Sequence, residues 1–241
     1  MIFGEMRTLT IDIGGTGLKM IPLDQGGRAI GERHRELTPE TSKPTKVLEV
    51  LKGMIEKQAP FDRVSVGFPG VVNQGIVQNA PNLGTEDWHG FSLGDAIGKL
   101  TGKPTRVVND ADLQGFGVIQ GKGVELVLTL GTGMGSALFA DGRLVPNLEL
   151  GHHPLRKGRT YEQHVGDEEL ERVGKKKWRK RMQLVFETLA PIFNYDTLYV
   201  GGGNAKKLEE PLPKQVVRFD NVEGMEGGVA LWREEAAKAD D

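Results

Sequence analysis

The feature that most constrains the fold is a pattern that occurs twice. Thr8 to Leu23 reads as an alternating β-branched run, TLTIDI, a glycine turn, GGTG, and a second apolar run, LKMIPL. Val124 to Phe139 repeats it as ELVLTL, GTGMG and SALF, and setting Asp12 over Thr129, 117 positions on, brings the two turns into register. Solenoid repeats run about 20 to 50 residues, so so long a spacing points to duplicated domains. At 241 residues with 38% hydrophobic content, the chain is long enough to give each half its own core. The expected division is 1–111 and 112–241, with the last helix able to pack back on the first domain. No low-complexity linker separates the halves, which implies close packing about a hinge.

Between the repeats, helical periodicity runs from about Lys43 to Gln58, with Leu48, Leu51 and Ile55 on one face. RVSVGF then reads as a strand, Asn73 to Trp88 as a loop, Phe91 to Thr101 as a helix stopped by Gly102 and Pro104, and RVVND as a strand entering a loop. After the second hairpin come helices over about Tyr161 to Val173 and Lys175 to Leu189, a strand in DTLYVGGGN and a final helix in GMEGGVALWREEAAK. The turn glycines are expected to supply positive-φ positions.

Composition removes several chemistries. With no cysteine there can be no disulfide, thiolate metal site or cysteine nucleophile. A formal charge of −2 gives no global attraction to nucleic acid, so a polyanion must meet a local basic patch. No run approaches the roughly 18 apolar residues of a membrane span, and the N-terminus lacks the signal-peptide pattern, so a soluble, non-exported protein is expected.

Gly14-Gly15-Thr16-Gly17 and Gly131-Thr132-Gly133-Met134-Gly135 can let backbone N–H groups approach phosphate oxygens, with Thr16 and Thr132 adding hydroxyls. A single such turn is more often only a hairpin; two matched turns weigh against that. Asp12 interrupts an apolar strand just before the first turn, where it either caps the turn or faces a cation such as magnesium beside phosphates. In Asn109-Asp110-Ala111-Asp112 a strand-end carboxylate, Asp110, suits proton abstraction from a hydroxyl, Asn109 a sugar hydroxyl, and Asp112 a helix N-cap. Glu149-Leu150-Gly151-His152-His153 groups an acid and two imidazoles suited to sugar hydroxyls, and less to a metal. Six cations in Lys175 to Arg181 form either a solvated helix face or a path for a polyanion.

In order along the chain, DIGGTGLK, GFPGVV, NDAD, LGTGMGSA, ELGH and GGGN resemble the ROK sugar kinases, and among them the polyphosphate glucokinases. The resemblance implies two actin-like, ribonuclease-H-like α/β ATPase domains with a cleft between them. It implies a hexokinase-type transfer from polyphosphate or ATP to glucose, giving glucose 6-phosphate, with Asp110 as catalytic base and Mg2+ at Asp12, directly or through water. Asn109, Glu149, His152, Glu162, Pro69 and Gly70 match sugar-binding positions. Gly14, Gly15, Thr16, Gly17, Lys19, Gly131, Thr132, Gly133 and Gly135 match phosphate-binding ones, and Gly201, Gly202 and Gly203 border the adenosine of ATP. Lys175, Lys176, Lys177 and Arg179 are candidates for a polyphosphate path. The Cys-rich zinc motif of many relatives is absent, so no zinc is expected, and polyphosphate glucokinases lack it too. A cytoplasmic homodimer without nucleic-acid or membrane partners is implied. The alternatives are an ATP-only glucokinase, a kinase for mannose or fructose, or a non-catalytic sugar-binding or regulatory protein.

Overall fold

The computed structural model describes residues 6–233. They divide into two units, 6–117 with 225–233, and 118–224. The first unit therefore extends past residue 111, to Gly117 near the end of the helix Asp110–Val118, and regains chain after residue 224.

The first unit is built on strands β1 (Thr8–Ile13), β2 (Gly17–Leu23), β3 (His34–Leu37), β4 (Arg63–Phe68) and β5 (Thr105–Asn109), in the order β3-β2-β1-β4-β5. β1, β2 and β3 are antiparallel, while β4 and β5 run parallel to β1. The second unit uses β6 (Val124–Leu130), β7 (Met134–Ala140), β8 (Arg143–Val145), β9 (Thr197–Gly201) and β10 (Val216–Arg218), in the order β8-β7-β6-β9-β10 with the same directions. The duplication read from the sequence is thus a duplication of topology. Asp12 pairs with Gly67 on its parallel neighbour, and Thr129, 117 positions on, pairs with Gly201.

Local chemistry explains the flanking helices. Pro44 starts Pro44–Ile55, where its fixed φ suits the first turn and its missing N–H costs nothing; Val47, Leu51 and Met54 turn one face to the core. Leu93–Thr101 buries Leu93 and Ile97 and ends where Gly102 turns left-handed at φ 66°. In the segment expected to be a plain loop, Val72–Asn73 and Ile76–Val77 form a small hairpin, and the turn Thr85–Trp88 buries Trp88 against Phe68.

The helical stretch after the second hairpin breaks twice. Gly166 separates Tyr161–Val165 from Asp167–Phe193, and Gly174, at φ 75° and ψ 160°, interrupts the latter where the sequence places its own break. Trp178 is buried and donates its indole N–H to the Val165 carbonyl at 2.7 Å, locking the helix beyond the kink onto the short one. Glu169, 4% exposed, accepts from Arg172, Arg159 and Arg181. The Arg172 and Arg159 guanidinia hold its carboxyl well below the usual carboxylate range, against the opposing effect of burial.

The returning segment seals the first unit. Met225 and Val229 cover Ile21 and Leu23, Ser65 Oγ donates to the Gly228 carbonyl at 2.6 Å, and the Trp232 indole N–H donates to Ser65 Oγ at 2.8 Å. No helix among the described residues is long and apolar enough to cross a membrane.

Candidate active site

In the first unit, three parallel strands end side by side at the residues of interest. Asp12 on β1 lies beside Gly67 on β4, and Phe68 beside Asn109 at the end of β5. Ligands of parallel α/β sheets gather beyond such carboxyl ends. Asn109 Oδ1 accepts the Ala111 and Asp112 amides at 2.8 and 3.3 Å, so Asn109, not Asp112, caps the helix Asp110–Val118. Asp112 is buried in the first turn instead. The Asn109 amide N–H also donates to the Gly70 carbonyl at 3.2 Å, tying buried Pro69-Gly70 to the strand end. Asp110 sits half-buried at the helix start, its Oδ1 accepting the Ala111 amide at 2.8 Å.

Asp12 is buried beside the first turn, where Lys19 Nζ meets its Oδ2 at 2.8 Å across the β1–β2 pair. The turn is closed by Gly14 N–H donating to the Gly17 carbonyl at 3.0 Å and steadied by Thr38 Oγ1 donating to the Gly14 carbonyl at 2.6 Å. Gly15 and Thr16 project to solvent.

None of the glycines of either turn has a positive φ, contrary to expectation. What glycine supplies there is room. A Cβ on Gly17 would come within 3.1 Å of Arg35 Nε, and one on Gly133 within 2.6 Å of Glu162 Oε2. Gly135 lies within β7, paired with Thr129, rather than in the turn.

The second unit gathers three of the residues expected to bind sugar. His152 sits between two carboxylates, with Nε2 3.2 Å from Glu149 Oε2 and Nδ1 3.3 Å from Glu162 Oε1. Buried Ser136 positions one side: its hydroxyl donates to the Leu148 carbonyl at 2.5 Å and accepts the Leu150 amide at 3.2 Å. A capping box positions the other, Thr160 accepting from the Gln163 amide and Gln163 Oε1 from the Thr160 amide, which fixes Glu162 in the first helical turn. Burial pushes the Glu149 carboxyl up, reinforced by the Glu162 charge and opposed by His152. His153 is exposed and lies near the Tyr161 ring instead of joining the cluster.

Behind the second turn lies a support that the sequence did not reveal. The Asp167 amide donates to the Gly131 carbonyl at 3.0 Å, Asn204 Nδ2 donates to Asp167 Oδ1 at 2.6 Å, and Lys207 Nζ donates to Asn204 Oδ1 at 2.6 Å. Asn204 directly follows the GGGN glycines, and that adjacency was the available signal. A Cβ on Gly201 would overlap the Phe219 ring and one on Gly202 the Leu130 backbone, whereas Gly203 has open space. Of the basic run, Lys175, Lys176 and Lys177 are exposed, but Arg179 is engaged by the Lys207 carbonyl at 2.8 Å and by Glu209 at 3.2 Å.

A family model described as the ROK family matches residues 8–167. The chain belongs to the ROK family. It is 32% identical over 214 residues to a polyphosphate glucokinase of Mycobacterium tuberculosis, covering 84% of this chain and 80% of that one. It is also similar to the crystal structure of inorganic polyphosphate/ATP-glucomannokinase from Arthrobacter sp. strain KM, at TM-score 0.84 and 31% identity over 97% of this chain and 99% of that one. A ROK family glucokinase from Streptomyces griseus, solved with glucose and AMPPNP, shares the fold at TM-score 0.79 and 20% identity, covering 95% and 99% of the two chains. The duplicated sheets are therefore those of the actin-like ROK sugar kinases.

Proposed function

We propose that this ROK protein is a hexokinase-type phosphotransferase converting glucose and polyphosphate or ATP to glucose 6-phosphate. The observation that carries the reading is His152 held between Glu149 and Glu162 directly against a glycine turn, in a chain similar over most of its length to a polyphosphate glucokinase. Two carboxylates and an imidazole offer the acceptors and the donor that sugar hydroxyls need, and a site built for hydroxyls rejects analogues lacking them.

The oxygen of the hexose 6-hydroxyl attacks the donor's terminal phosphorus in line, and the bond to the rest of the phosphate chain breaks, the chain leaving with the electron pair. Asp110 takes the hydroxyl proton, its carboxylate oriented by the Ala111 amide. The N–H groups of the glycine turns, with Thr16, Thr132 and Lys19, offset the donor's charge. Asn109 and the Pro69-Gly70 turn, already bonded together, add sugar contacts.

Asp12 keeps one carboxylate oxygen clear of Lys19, and no group of three or more His, Cys, Asp or Glu placed to hold a metal occurs among the described residues. Asp12 would be the residue to hold a Mg2+ ion, through the oxygen that Lys19 leaves or through water, since magnesium favours oxygen ligands beside phosphate. When bound, the ion neutralises those oxygens and polarises the transferring phosphoryl group. Gly203 would border the adenosine of ATP, and Lys175 to Lys177 would carry the distal part of a polyphosphate chain. The reading extends to a cytoplasmic homodimer that needs neither zinc, nucleic acid nor membrane.

The test is glucose 6-phosphate formation with Mg2+, using polyphosphate and ATP as separate donors at matched phosphoryl concentration. Asp110→Asn should lower turnover by about 10²- to 10⁴-fold, the usual contribution of a general base, while glucose binding survives. Full turnover in that variant would remove Asp110 from the mechanism. Absence of product with either donor in the unmodified protein would leave another sugar or a binding role.

A further inference from the structure

The sheet duplication exposes a difference between the two glycine turns. The position of Lys19 beside the first turn corresponds, 117 positions on, to Ser136 beside the second, and the Ser136 hydroxyl is already committed to Leu148 and Leu150. Among the described residues, only the first turn carries cations on its cross-strand neighbours. Asp12, Lys19 and Arg35 form one row across β1, β2 and β3, with Asp12 opposite Lys19 and Lys19 opposite Arg35. The single carboxylate of the row pairs with Lys19 through Oδ2. Arg35 is exposed and, among the described residues, forms no ion pair.

Like charges placed directly opposite on a sheet repel, and Asp12 offsets only the Lys19 member of this pair, so an anion meeting Arg35 as well would relieve the rest. Arg35 also does not extend away from the sheet. Its Nε and Nη2 lie 3.1 and 3.3 Å from where a Cβ of Gly17 would stand, so the guanidinium is laid over the last residue of the turn. Gly17 leaves the space that permits this. Lys19 and Gly17 lie two apart on β2 and share a sheet face, which brings ammonium and guanidinium to the same side of the turn.

We propose that Arg35 is a donor-binding residue, its guanidinium completing with Lys19 and the Gly14 to Gly17 turn a cradle for the phosphates shared by polyphosphate and ATP. The inference rests on the kinase reading above and adds to it a residue outside the recognised motifs. A planar guanidinium can pair with two phosphate oxygens at once, which an ammonium cannot. Because it grips phosphate oxygens and nothing beyond them, Arg35 serves both donors alike.

The first arm is calorimetric binding of tripolyphosphate to the full chain without glucose, which needs no turnover and so stands even if the sugar assignment fails. Arg35→Ala should weaken tripolyphosphate about tenfold or more, the usual weight of a charged hydrogen-bonding partner, and Arg35→Lys should recover part of the loss. The second arm is steady-state kinetics, where Arg35→Ala should raise KM by similar factors for polyphosphate and ATP and leave the KM for glucose in place. Thermal melting checks folding, and an exposed arginine should leave it near that of the unmodified protein. Tripolyphosphate affinity within twofold of the unmodified protein would overturn the assignment, as would a KM rise confined to one donor or an Arg35→Lys variant as impaired as Arg35→Ala.

Discussion

Replacing Gly133 by Ala separates stability from sugar recognition. The backbone there has no positive φ, so an L-residue is not strained, and removing a glycine trims unfolded-state entropy by about 0.4 to 1 kcal/mol. Against that gain, the new Cβ would stand 2.6 Å from Glu162 Oε2, inside contact distance. The atom it meets is the far end of a flexible, 31% exposed side chain, so rotation of Glu162 relieves the overlap at little cost to the fold. The two effects nearly cancel, and net stability should move by no more than about 1 kcal/mol, a shift of roughly 2 to 4 °C at this chain length. Rotation, however, takes Glu162 from its place 3.3 Å from His152 Nδ1 and from any sugar hydroxyl it accepts. A hydrogen bond involving a charged group contributes about 1.5 to 3 kcal/mol, so glucose affinity should fall by roughly 10- to 150-fold. Melting temperature by scanning fluorimetry and glucose affinity by calorimetry, taken on one preparation, read both. An intact melting curve with unchanged glucose affinity would refute the role given to Glu162, and a melting temperature lowered by more than about 10 °C would refute the account of the turn.

Two further outcomes follow from the charged groups. Glu169 has its folded carboxyl depressed below the ordinary 4.5, so its stabilising contribution is present above that value and lost as pH falls through the lower folded one. Acid unfolding followed by circular dichroism should steepen below about pH 4.5, and Glu169→Gln should be less stable at neutral pH, by about 1.5 to 3 kcal/mol because the three arginines it leaves keep access to water, yet flatter in acid. An unchanged acid limb in that variant would exclude Glu169 as its source. Replacing Lys175, Lys176 and Lys177 together by Ala should raise KM for long-chain polyphosphate several-fold and leave ATP nearly untouched, with a shallower salt dependence for polyphosphate. Equal effects on the two donors would remove the run from the polyphosphate path.

Where a signal lies along the chain it was legible. Alternation in TLTIDI and ELVLTL located the central strands, and the offset from Asp12 to Thr129 survived as equivalent pairings in the two sheets. Glu149, His152 and Glu162 came together as a cluster although 13 positions separate the outer pair, because a capping box and a buried serine set their two segments independently. What was not legible depends on register between strands. Nothing in RHREL says that Arg35 crosses to Gly17, since that follows from how β3 aligns with β2. The same holds for Trp88 and Trp178, whose burial is decided by distant packing. The positive-φ expectation failed because glycine has two uses, handedness and absence of bulk, and a sequence does not say which is in force. Asn109 displaced Asp112 as the cap because the helix begins one residue past the strand, too early for Asp112 to precede it.

The return of the chain to the first unit bears on synthesis. The second unit is one continuous stretch, complete once residue 224 has emerged, whereas Ile21, Leu23 and Ser65 wait for Met225, Gly228, Val229 and Trp232, which are translated after all of it. The half made first is thus finished second. A chain cut off near residue 220 would hold an uncovered apolar patch on its first sheet, and should be a better substrate for chaperones and proteases than one released with Met225 to Trp232 in place.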